Sequence, residues 1–251
     1  MSDAFIEQRL AAGEVNVLGQ LHGLPLPAWQ PCPLPPAVVL QGQYCRLEPL
    51  SVVRHGDALY AAMQRDVDGA NWTYLGYGPF ADLECYLQWL RSVEGLADPQ
   101  FYAIVDVRSG LALGLASYLR IDPANGVIEV GHLNFSPLLQ RTPAATEAMY
   151  LLMRHAFELG YRRYEWKCNA LNLPSRRAAE RLGFLFEGLF RQAMISKGRN
   201  RDTAWYSILD SEWPMVCKLL EQWLSADNFD AAGRQRQALA AMMANWRNTR
   251  Q

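Results

Sequence analysis

The segment from Gln140 to Ser175 contains polar residues suited to binding an anion. It begins Gln-Arg-Thr-Pro-Ala-Ala, and a long apolar-faced segment follows. Thr142 is a favoured N-cap residue and Pro143 suits the first position of a helix, so a helix is predicted to begin here. The first N–H groups of a helix have no partner within it and attract negative charge, phosphate in particular. By itself, such a helix start is more often structural than ligand-binding.

Two further polar residues, Asn172 and Ser175, follow the next predicted strand and open a short predicted helix. This strand and helix would bring both side chains beside the anion site, where one long phosphorylated ligand would contact all of them. The combination favours ligand binding, although an Asn in a turn and a Ser in the first turn of a helix are also ordinary structural choices.

The elements that position these residues follow from apolar periodicity and turn residues. Three strand-like segments separated by turn residues predict an antiparallel meander. A strand–helix–strand–helix–strand run comes next and predicts a mixed sheet with helices on both faces. The predicted strands are residues 43–50, 101–107, 111–121, 127–135, 162–169, 184–191 and 202–209, and the predicted helices are 57–65, 81–93, 142–159 and 174–182.

The ends of the chain differ from this run in composition. Residues 1–42 form a leader with two proline-rich patches, which exclude a regular helix or a central strand. An extended course over the domain is predicted, with a disordered tail trailing from it as the alternative. Residues 43–213 are the predicted domain, and 214–251 are a predicted helical extension. Its two apolar stripes at helical spacing are expected to pack on their own domain, with a homodimer contact as the alternative.

Composition excludes several classes of protein. The net charge is −1, so bulk electrostatics favour neither nucleic acid nor an anionic membrane as a partner. The five cysteines are scattered without metal-ligand spacing, and we expect neither a disulfide scaffold nor a metal site. The sequence shows no signal peptide and no run near the ~18 apolar residues of a membrane span. We therefore expect a cytoplasmic protein.

The segment from Gln140 to Phe184 resembles the acyl-CoA-binding half of GNAT-superfamily N-acetyltransferases, closest to the branch that contains the bacterial ribosomal-protein N-terminal acetyltransferases. The family's phosphate loop reads Gln/Arg-x-x-Gly-x-Gly/Ala; Gln140 and Ala145 match its ends, and Pro143 replaces the central glycine. Asn172 and Ser175 match the Asn-x-x-Ser of the ribosomal branch. The resemblance covers about residues 43–214 and implies an α/β (α+β) fold with the mixed, largely antiparallel sheet of that family.

The resemblance implies acetyl-CoA as co-substrate and assigns residues to it. Its pyrophosphate would be held at Gln140 and by the amides of Arg141, Thr142, Ala144 and Ala145, with one donor lost at the proline. The amides of Leu133, Asn134 and Phe135 would pair with the pantetheine arm and polarise the thioester carbonyl. Asn172 would hold that arm, and Ser175 would donate to the departing thiolate. The Tyr that other branches use as a general acid corresponds to Ala179.

Glu129 occupies the place where many relatives carry a carboxylate, and it is the predicted general base. Attack on a thioester needs a neutral amine, and a carboxylate can take the proton directly or through water. A Glu on an edge strand or solvent face is the structural alternative. His132 is the other titratable candidate in this strand. Regular alternation predicts that the two side chains lie on opposite faces and do not act as a pair.

Residues 71–80 lie where relatives form the acceptor pocket. Several aromatic side chains lie between glycine and proline breaks here, which predicts a shaped pocket, although core packing explains any one of them. Tyr118 and Arg120 are predicted to face the same pocket. The aromatic residues are Trp72, Tyr74, Tyr77 and Phe80.

The leading interpretation is an N-acetyltransferase that moves an acetyl group from acetyl-CoA to a primary amine by direct attack in a ternary complex. The alternative is a catalytically silent acyl-CoA-binding or regulatory protein of the same fold, which Pro143 and Ala179 favour. An unrelated nucleotide-binding protein is disfavoured, because no glycine-rich fingerprint follows a strand. The acceptor stays open among ribosomal protein N-termini, other peptides, polyamines, aminoglycosides and small amines.

Overall fold

The computed structural model describes residues 12–248, and contacts divide the chain into two units, Met1–Pro31 and Cys32–Gln251. The described part of the first unit is a hairpin of β1 (Gly13–Val15) and β2 (Leu21–Gly23). Asn16 shapes its turn, since the side-chain oxygen accepts bonds from the amides of Leu18 and Gln20. The predicted leader did not include this hairpin, and its residues 1–11 lie outside the described residues.

The second unit is built on one eight-stranded sheet. The spatial order of its strands is β3-β4-β5-β6-β7-β8-β10-β9, and every neighbouring pair is antiparallel except β7 and β8. The strands are β3 (Leu40–Gln41), β4 (Cys45–Pro49), β5 (Gln100–Asp106), β6 (Ala112–Asp122), β7 (Val127–Phe135), β8 (Arg163–Asn169), β9 (Leu185–Ser196) and β10 (Arg199–Leu209).

Helices cover both faces of this sheet. On one face, Phe101 and Ala103 of β5 join the core beneath the first two helices; on the other, Tyr102 contacts Tyr118, whose hydroxyl donates to the carbonyl of Leu152. The predicted mixed, largely antiparallel sheet with helices on both faces is therefore confirmed. The helices are α1 (Val52–Met63), α2 (Leu83–Val93), α3 (Pro143–Glu158), α4 (Leu173–Arg181), α5 (Trp213–Leu224) and α6 (Leu239–Asn248).

The largest boundary differences lie in α1 and in the β9–β10 hairpin. Helix α1 begins at Val52, before the predicted residue 57, and includes Gly56. That glycine permits close packing of α2, because a Cβ there would overlap the Leu87 side chain. Strand β9 continues past its predicted end at residue 191 to Ser196, and β10 begins at Arg199, before its predicted start at residue 202.

Residues 32–36 lie along the second unit. The Cys32 amide donates to the carbonyl of Pro123, the Tyr161 hydroxyl donates to that of Pro33, and the Gln100 side chain donates to that of Pro35. Proline carbonyls remain acceptors although the ring removes the donor, which explains how this extended segment is held.

The two apolar stripes of the C-terminal extension are buried within the chain. Val216 and Leu220 of α5 are fully buried, as are Leu239 and Met243 of α6. Packing on their own domain, the first of the two expectations, accounts for these side chains. The homodimer stays a prediction.

The carboxylate of Glu147 in α3 fixes the start of β4. Its two oxygens accept bonds of 2.7, 2.6 and 2.7 Å from the amides of Gln43, Tyr44 and Cys45. Gly42 permits this approach, because a Cβ there would overlap the carboxylate. Helix α3 is thereby tied to the edge of the sheet by one buried charged group.

Replacing Glu147 with Gln is expected to lower the free energy of unfolding by about 2–4 kcal/mol, because a neutral amide turns one acceptor into a donor facing backbone N–H groups. Urea unfolding of both proteins measures the change. Glu158→Gln is the matched control on the same helix, where an exposed ion pair with Arg154 should contribute less than about 0.5 kcal/mol. Equal losses in the two variants would contradict this role of Glu147.

Candidate functional site

Strands β7 and β8 pair over only part of their length. Their parallel register runs from Val127 opposite Arg163 to Val130 opposite Trp166, although both strands continue further. Beyond that point β7 contains a bulge, since Gly131 pairs with Ser117 and Asn134 with Leu115, which leaves His132 and Leu133 opposite one residue of β6. A bulge bends its strand and increases the local twist. The two strands consequently separate at His132.

A cavity of about 190 Å³ lies where the strands part. This is smaller than the roughly 300–1,000 Å³ of pockets that hold a drug-sized ligand, so it suits a small reacting group. It brings together predicted residues from three separate segments and several residues that were not predicted. The predicted residues are Tyr74, Glu129, His132, Leu133, Asn172 and Ser175, and the others include Asn71, Lys167, Cys168, Asn169 and Arg201.

Glu129 is a buried carboxylate at this cavity, with 5% of its surface exposed. The Lys167 ammonium lies 2.7 Å from it, and the guanidinium of Arg120 lies 3.7 Å away. Burial raises the pKa of Glu129 above its ordinary value, although the bond from Lys167 acts in the opposite direction. A carboxylate with a raised pKa in a cleft is suited to accepting a proton.

Lys167 is a site residue that sequence reasoning missed. Its ammonium also lies 2.7 Å from Glu165 and 4.0 Å from the centre of the Trp205 ring. The alternation Arg163-x-Glu165-x-Lys167 on one face of β8 was a usable signal, because opposite charges on neighbouring strands pair across a sheet. The register that sets Glu129 beside Glu165 was not available from the sequence.

The prediction that Glu129 and His132 lie on opposite faces is wrong. Both line the same cavity, because the bulge shifts the alternation of side chains between them; His132 itself has a φ of 50°. Its ring stacks on Tyr77 and lies beside Phe101, and Nδ1 is 3.2 Å from the Tyr77 hydroxyl. Burial lowers the pKa of His132, so the ring is neutral near pH 7.

The aromatic residues of the 71–80 loop divide into two groups. Trp72 is 5% exposed and joins the buried core with α1 and α2, where Tyr77 and Phe80 pack on Trp89. Of the four predicted acceptor aromatics, only Tyr74 lines the cavity, and its hydroxyl donates to the carbonyl of Leu171. The local density of aromatic residues therefore reflects a packed loop that contributes one ring to the cavity.

Two other predicted acceptor residues do not line the cavity. Tyr118 is fully buried on the α3 face of the sheet, with its hydroxyl 2.6 Å from the carbonyl of Leu152, so the prediction that it faces the acceptor is wrong. Arg120 is largely exposed and reaches the site only through Glu129.

The start of α3 has the predicted N-cap. The Thr142 hydroxyl oxygen accepts a bond from the Ala145 amide and donates to the carbonyl of Leu139. The Thr142 amide also bonds to Leu139, so the amides of Arg141 and Ala144 are the predicted donors still available to a ligand. Arg181 adds a cation that was not predicted, since Nη1 donates to the Thr146 hydroxyl in the first turn of α3.

The end of β7 is held by two side chains. Asn71 and Gln140 both donate to the carbonyl of Phe135, and Gln140 also donates to Asn71. The Gln140 side chain is thus directed to β7. Asn134 is buried away from the cavity, and its side-chain atoms have no partner among residues 12–248. Of the three predicted strand residues, Leu133 alone lines the cavity.

Asn172 and Ser175 lie together at the start of α4. The Asn172 side chain accepts a bond from the Ser175 amide as the N-cap of this helix. The Ser175 hydroxyl accepts the indole N–H of Trp166 at 3.0 Å, which leaves its own proton available to donate. Both side chains line the cavity, so the local cap and the predicted ligand role are compatible.

Residues 46–185, more than half of the sequence, match the family described as an acetyltransferase (GNAT) domain. The chain belongs to this GNAT acetyltransferase family. GNAT acetyltransferases use acetyl-CoA as co-substrate, and the chain is accordingly an N-acetyltransferase.

Solved structures and curated proteins agree with this assignment. A crystal structure of a GCN5-related N-acetyltransferase from Brucella melitensis is 49% identical, covers 87% of this chain and all of its own, and has a TM-score of 0.85. The ribosomal-protein-serine acetyltransferase of Escherichia coli (strain K12) is 31% identical over 102 residues, which are 40% of this chain and 56% of that protein. The GNAT relatives therefore include an enzyme that acts on a ribosomal protein.

Two further observations concern residues 12–248. No group of His, Cys, Asp or Glu side chains there is arranged to hold a metal ion. No helix in that range is both long enough and apolar enough to cross a bilayer.

Replacing Lys167 with Met is expected to raise the pKa of Glu129 and to lower the free energy of unfolding by about 3 kcal/mol at pH 7, because two buried carboxylates lose their shared cation. The loss should shrink as the pH falls towards the raised pKa of Glu129, where protonation removes one charge. Carbon-13 NMR titration and urea unfolding measure these effects. Arg120→Gln, which removes an exposed partner of the same carboxylate, should change both quantities little; similar effects would contradict the account.

Replacing Tyr74 with Ala is expected to raise the acceptor KM severalfold with a small change in stability, since this ring lies at the cavity. Trp72→Ala should instead cost about 3–5 kcal/mol of unfolding free energy, as for other buried aromatic residues. Steady-state kinetics and urea unfolding separate the two effects. A Trp72→Ala protein of normal stability with a raised acceptor KM would show that the loop is a pocket wall.

Proposed function

We propose that this chain transfers the acetyl group of acetyl-CoA directly to a primary amine in a ternary complex, the amine being a peptide N-terminus or a small molecule. The observation that carries the proposal is the meeting of Glu129, Leu133 and Ser175 at one cavity where β7 leaves β8. A proton acceptor, a backbone N–H donor and a hydroxyl donor are groups that assist aminolysis of a thioester.

The start of α3 is the proposed phosphate site. Amides of Arg141 and Ala144 would donate to the pyrophosphate, and the positive end of the helix favours its charge. Pro143 removes one donor. Arg181, bonded to Thr146 in the first turn, would offset that loss with positive charge.

The pantetheine arm would follow the unpaired edge of β7 towards the cavity. The parallel ladder ends at Val130, so the backbone of His132 and Leu133 is free of β8. We assign the Leu133 amide to the thioester oxygen, where a fixed N–H stabilises the charge that develops during attack. Asn172, at the other wall of the cavity, would hold the arm.

Glu129 is the proposed general base. The amine nitrogen attacks the thioester carbonyl carbon, the carbon–sulfur bond breaks, and Glu129 takes the proton that the nitrogen loses. Ser175 donates a hydrogen bond to the departing thiolate, which is a good enough leaving group to need no strong acid. Neutral His132 is the second proton acceptor at the same cavity. The Glu129→Gln variant described below separates its contribution to catalysis from that of Glu129.

The acceptor is proposed to be small where it enters the site, because the cavity is about 190 Å³. A chain terminus satisfies this condition as well as a small free amine. The similarity to the E. coli enzyme named for a ribosomal protein favours a peptide N-terminus.

Two variants with opposite expected effects test the proposal. Glu129→Gln should lower kcat by roughly 10²-fold or more with acetyl-CoA affinity almost unchanged, because it removes the base alone. Thr142→Asp keeps a good N-cap and places an anion at the phosphate site, so it should mainly weaken acetyl-CoA binding. Thiol release with an amine panel and calorimetry measure these quantities.

The pH dependence of kcat/KM tests the role of Glu129 independently. Because only ionised Glu129 accepts a proton, kcat/KM should fall as the pH drops through its raised pKa, at higher pH than for an ordinary carboxyl group. This acid limb should be absent in Glu129→Gln. Full activity in that variant would assign the base role to His132 or water, and acetyl-CoA binding without transfer to any amine would favour the silent binding protein.

A further inference from the structure

Arg201 is the third residue of β10, close to the β9–β10 turn, and it lines the cavity. Its buried Nε has no hydrogen-bond partner, and none of the ion pairs within residues 12–248 includes its guanidinium. Arg201 is partly exposed as a residue, but its Nε is buried without an acceptor, and an anion beside the guanidinium would supply one.

Other cations around the cavity already have partners. Lys167 is shared between Glu129 and Glu165, and Arg176 donates to the carbonyl of Ala170. Lys197, at the tip of the β9–β10 hairpin, donates to the carbonyls of Trp72 and Gly78. Arg201 therefore differs from its neighbours.

Arg201 lies at the same cavity as the proposed base. Arg201, Glu129 and Lys167 all line this cavity, and the Lys167 ammonium is 2.7 Å from Glu129. The Lys197 bonds to the carbonyls of Trp72 and Gly78 tie the β9–β10 turn, which precedes Arg201, to the 71–80 loop.

The phosphates of the co-substrate are not the partner expected for Arg201. Their proposed site at Arg141 and Ala144 is at the start of α3, and neither residue lines the cavity. The cavity is where the thioester and the acceptor meet. An anion beside Arg201 would belong to the acceptor.

We propose that Arg201 binds a carboxylate of the acceptor, and that the enzyme selects amines bearing a carboxylate close to the reacting nitrogen. This inference rests on the proposed function. A guanidinium matches a planar carboxylate with two parallel hydrogen bonds. The cavity then offers an acceptor Glu129 for its amine and Arg201 for its acid group. The carboxylate has two sources, a free amino acid or the side chain of an acidic residue near a peptide N-terminus.

Matched acceptor pairs test the proposal through thiol release. Alanine is compared with alaninamide, and the peptide amide Ala-Asp-Ala with Ala-Asn-Ala, so that each source of carboxylate has its own control. We expect one acid member to be preferred by about 30-fold or more in kcat/KM, as for a desolvated charged pair. Arg201→Gln should abolish that preference mainly through KM, and Arg201→Lys should keep part of it. Equal use of acid and amide members by the parent protein would overturn the inference while leaving the transferase intact.

If the protein acetylates neither pair, that result counts against these acceptors. Binding of the acetylated products then tests whether Arg201 binds a carboxylate. Calorimetry on the protein saturated with CoA compares N-acetylalanine with N-acetylalaninamide, and the acetylated Ala-Asp-Ala amide with its Asn analogue. Binding of an acid member that Arg201→Gln removes, with CoA affinity unchanged, supports the inference. No preference for either acid, or the same preference in Arg201→Gln, overturns it.

Discussion

The bulge at His132 and Leu133 is the constraint on which the site depends. Parallel strands that stayed paired would satisfy their backbone groups in each other and leave no space between them. The ladder with β8 instead ends at Val130, and the start of α4 and side chains of both strands meet at one cavity beside the bulge. Glu147 and the paired Asn71 and Gln140 hold the elements that flank this opening.

Charge in the cavity follows from the same geometry. Glu129, Lys167, Glu165 and Arg163 alternate in sign across neighbouring strands, which allows a carboxylate to be buried without losing its partner. The result is a carboxyl group whose pKa burial raises and the bond from Lys167 lowers, with a net increase that suits it to accepting a proton. Arg201 supplies a positive charge that forms no ion pair within residues 12–248, and the proposed carboxylate of the acceptor would be its partner.

The sequence predicted the features that depend on local signals. Thr142 caps its helix as expected, and the meander and the strand–helix run form the sheet. Long-range features were not predictable. The face of His132 depends on a bulge against β6, and the pairing of Lys167 with Glu129 depends on strand register. Tyr118 and most of the 71–80 aromatics were assigned to a pocket because composition does not distinguish a pocket wall from a ring buried beneath helices.

Amide hydrogen exchange with and without acetyl-CoA tests the central claim most directly, because it reports on the backbone freed by the bulge. Binding should slow exchange at the Leu133 amide and at those of Arg141 and Ala144 by about tenfold or more, since a hydrogen bond to the bound acetyl-CoA protects an amide N–H. Paired amides further back in β7 should change little. Protection elsewhere in the chain, with Leu133 and the start of α3 unchanged, would contradict the claim that the parted strands and the capped helix bind one ligand.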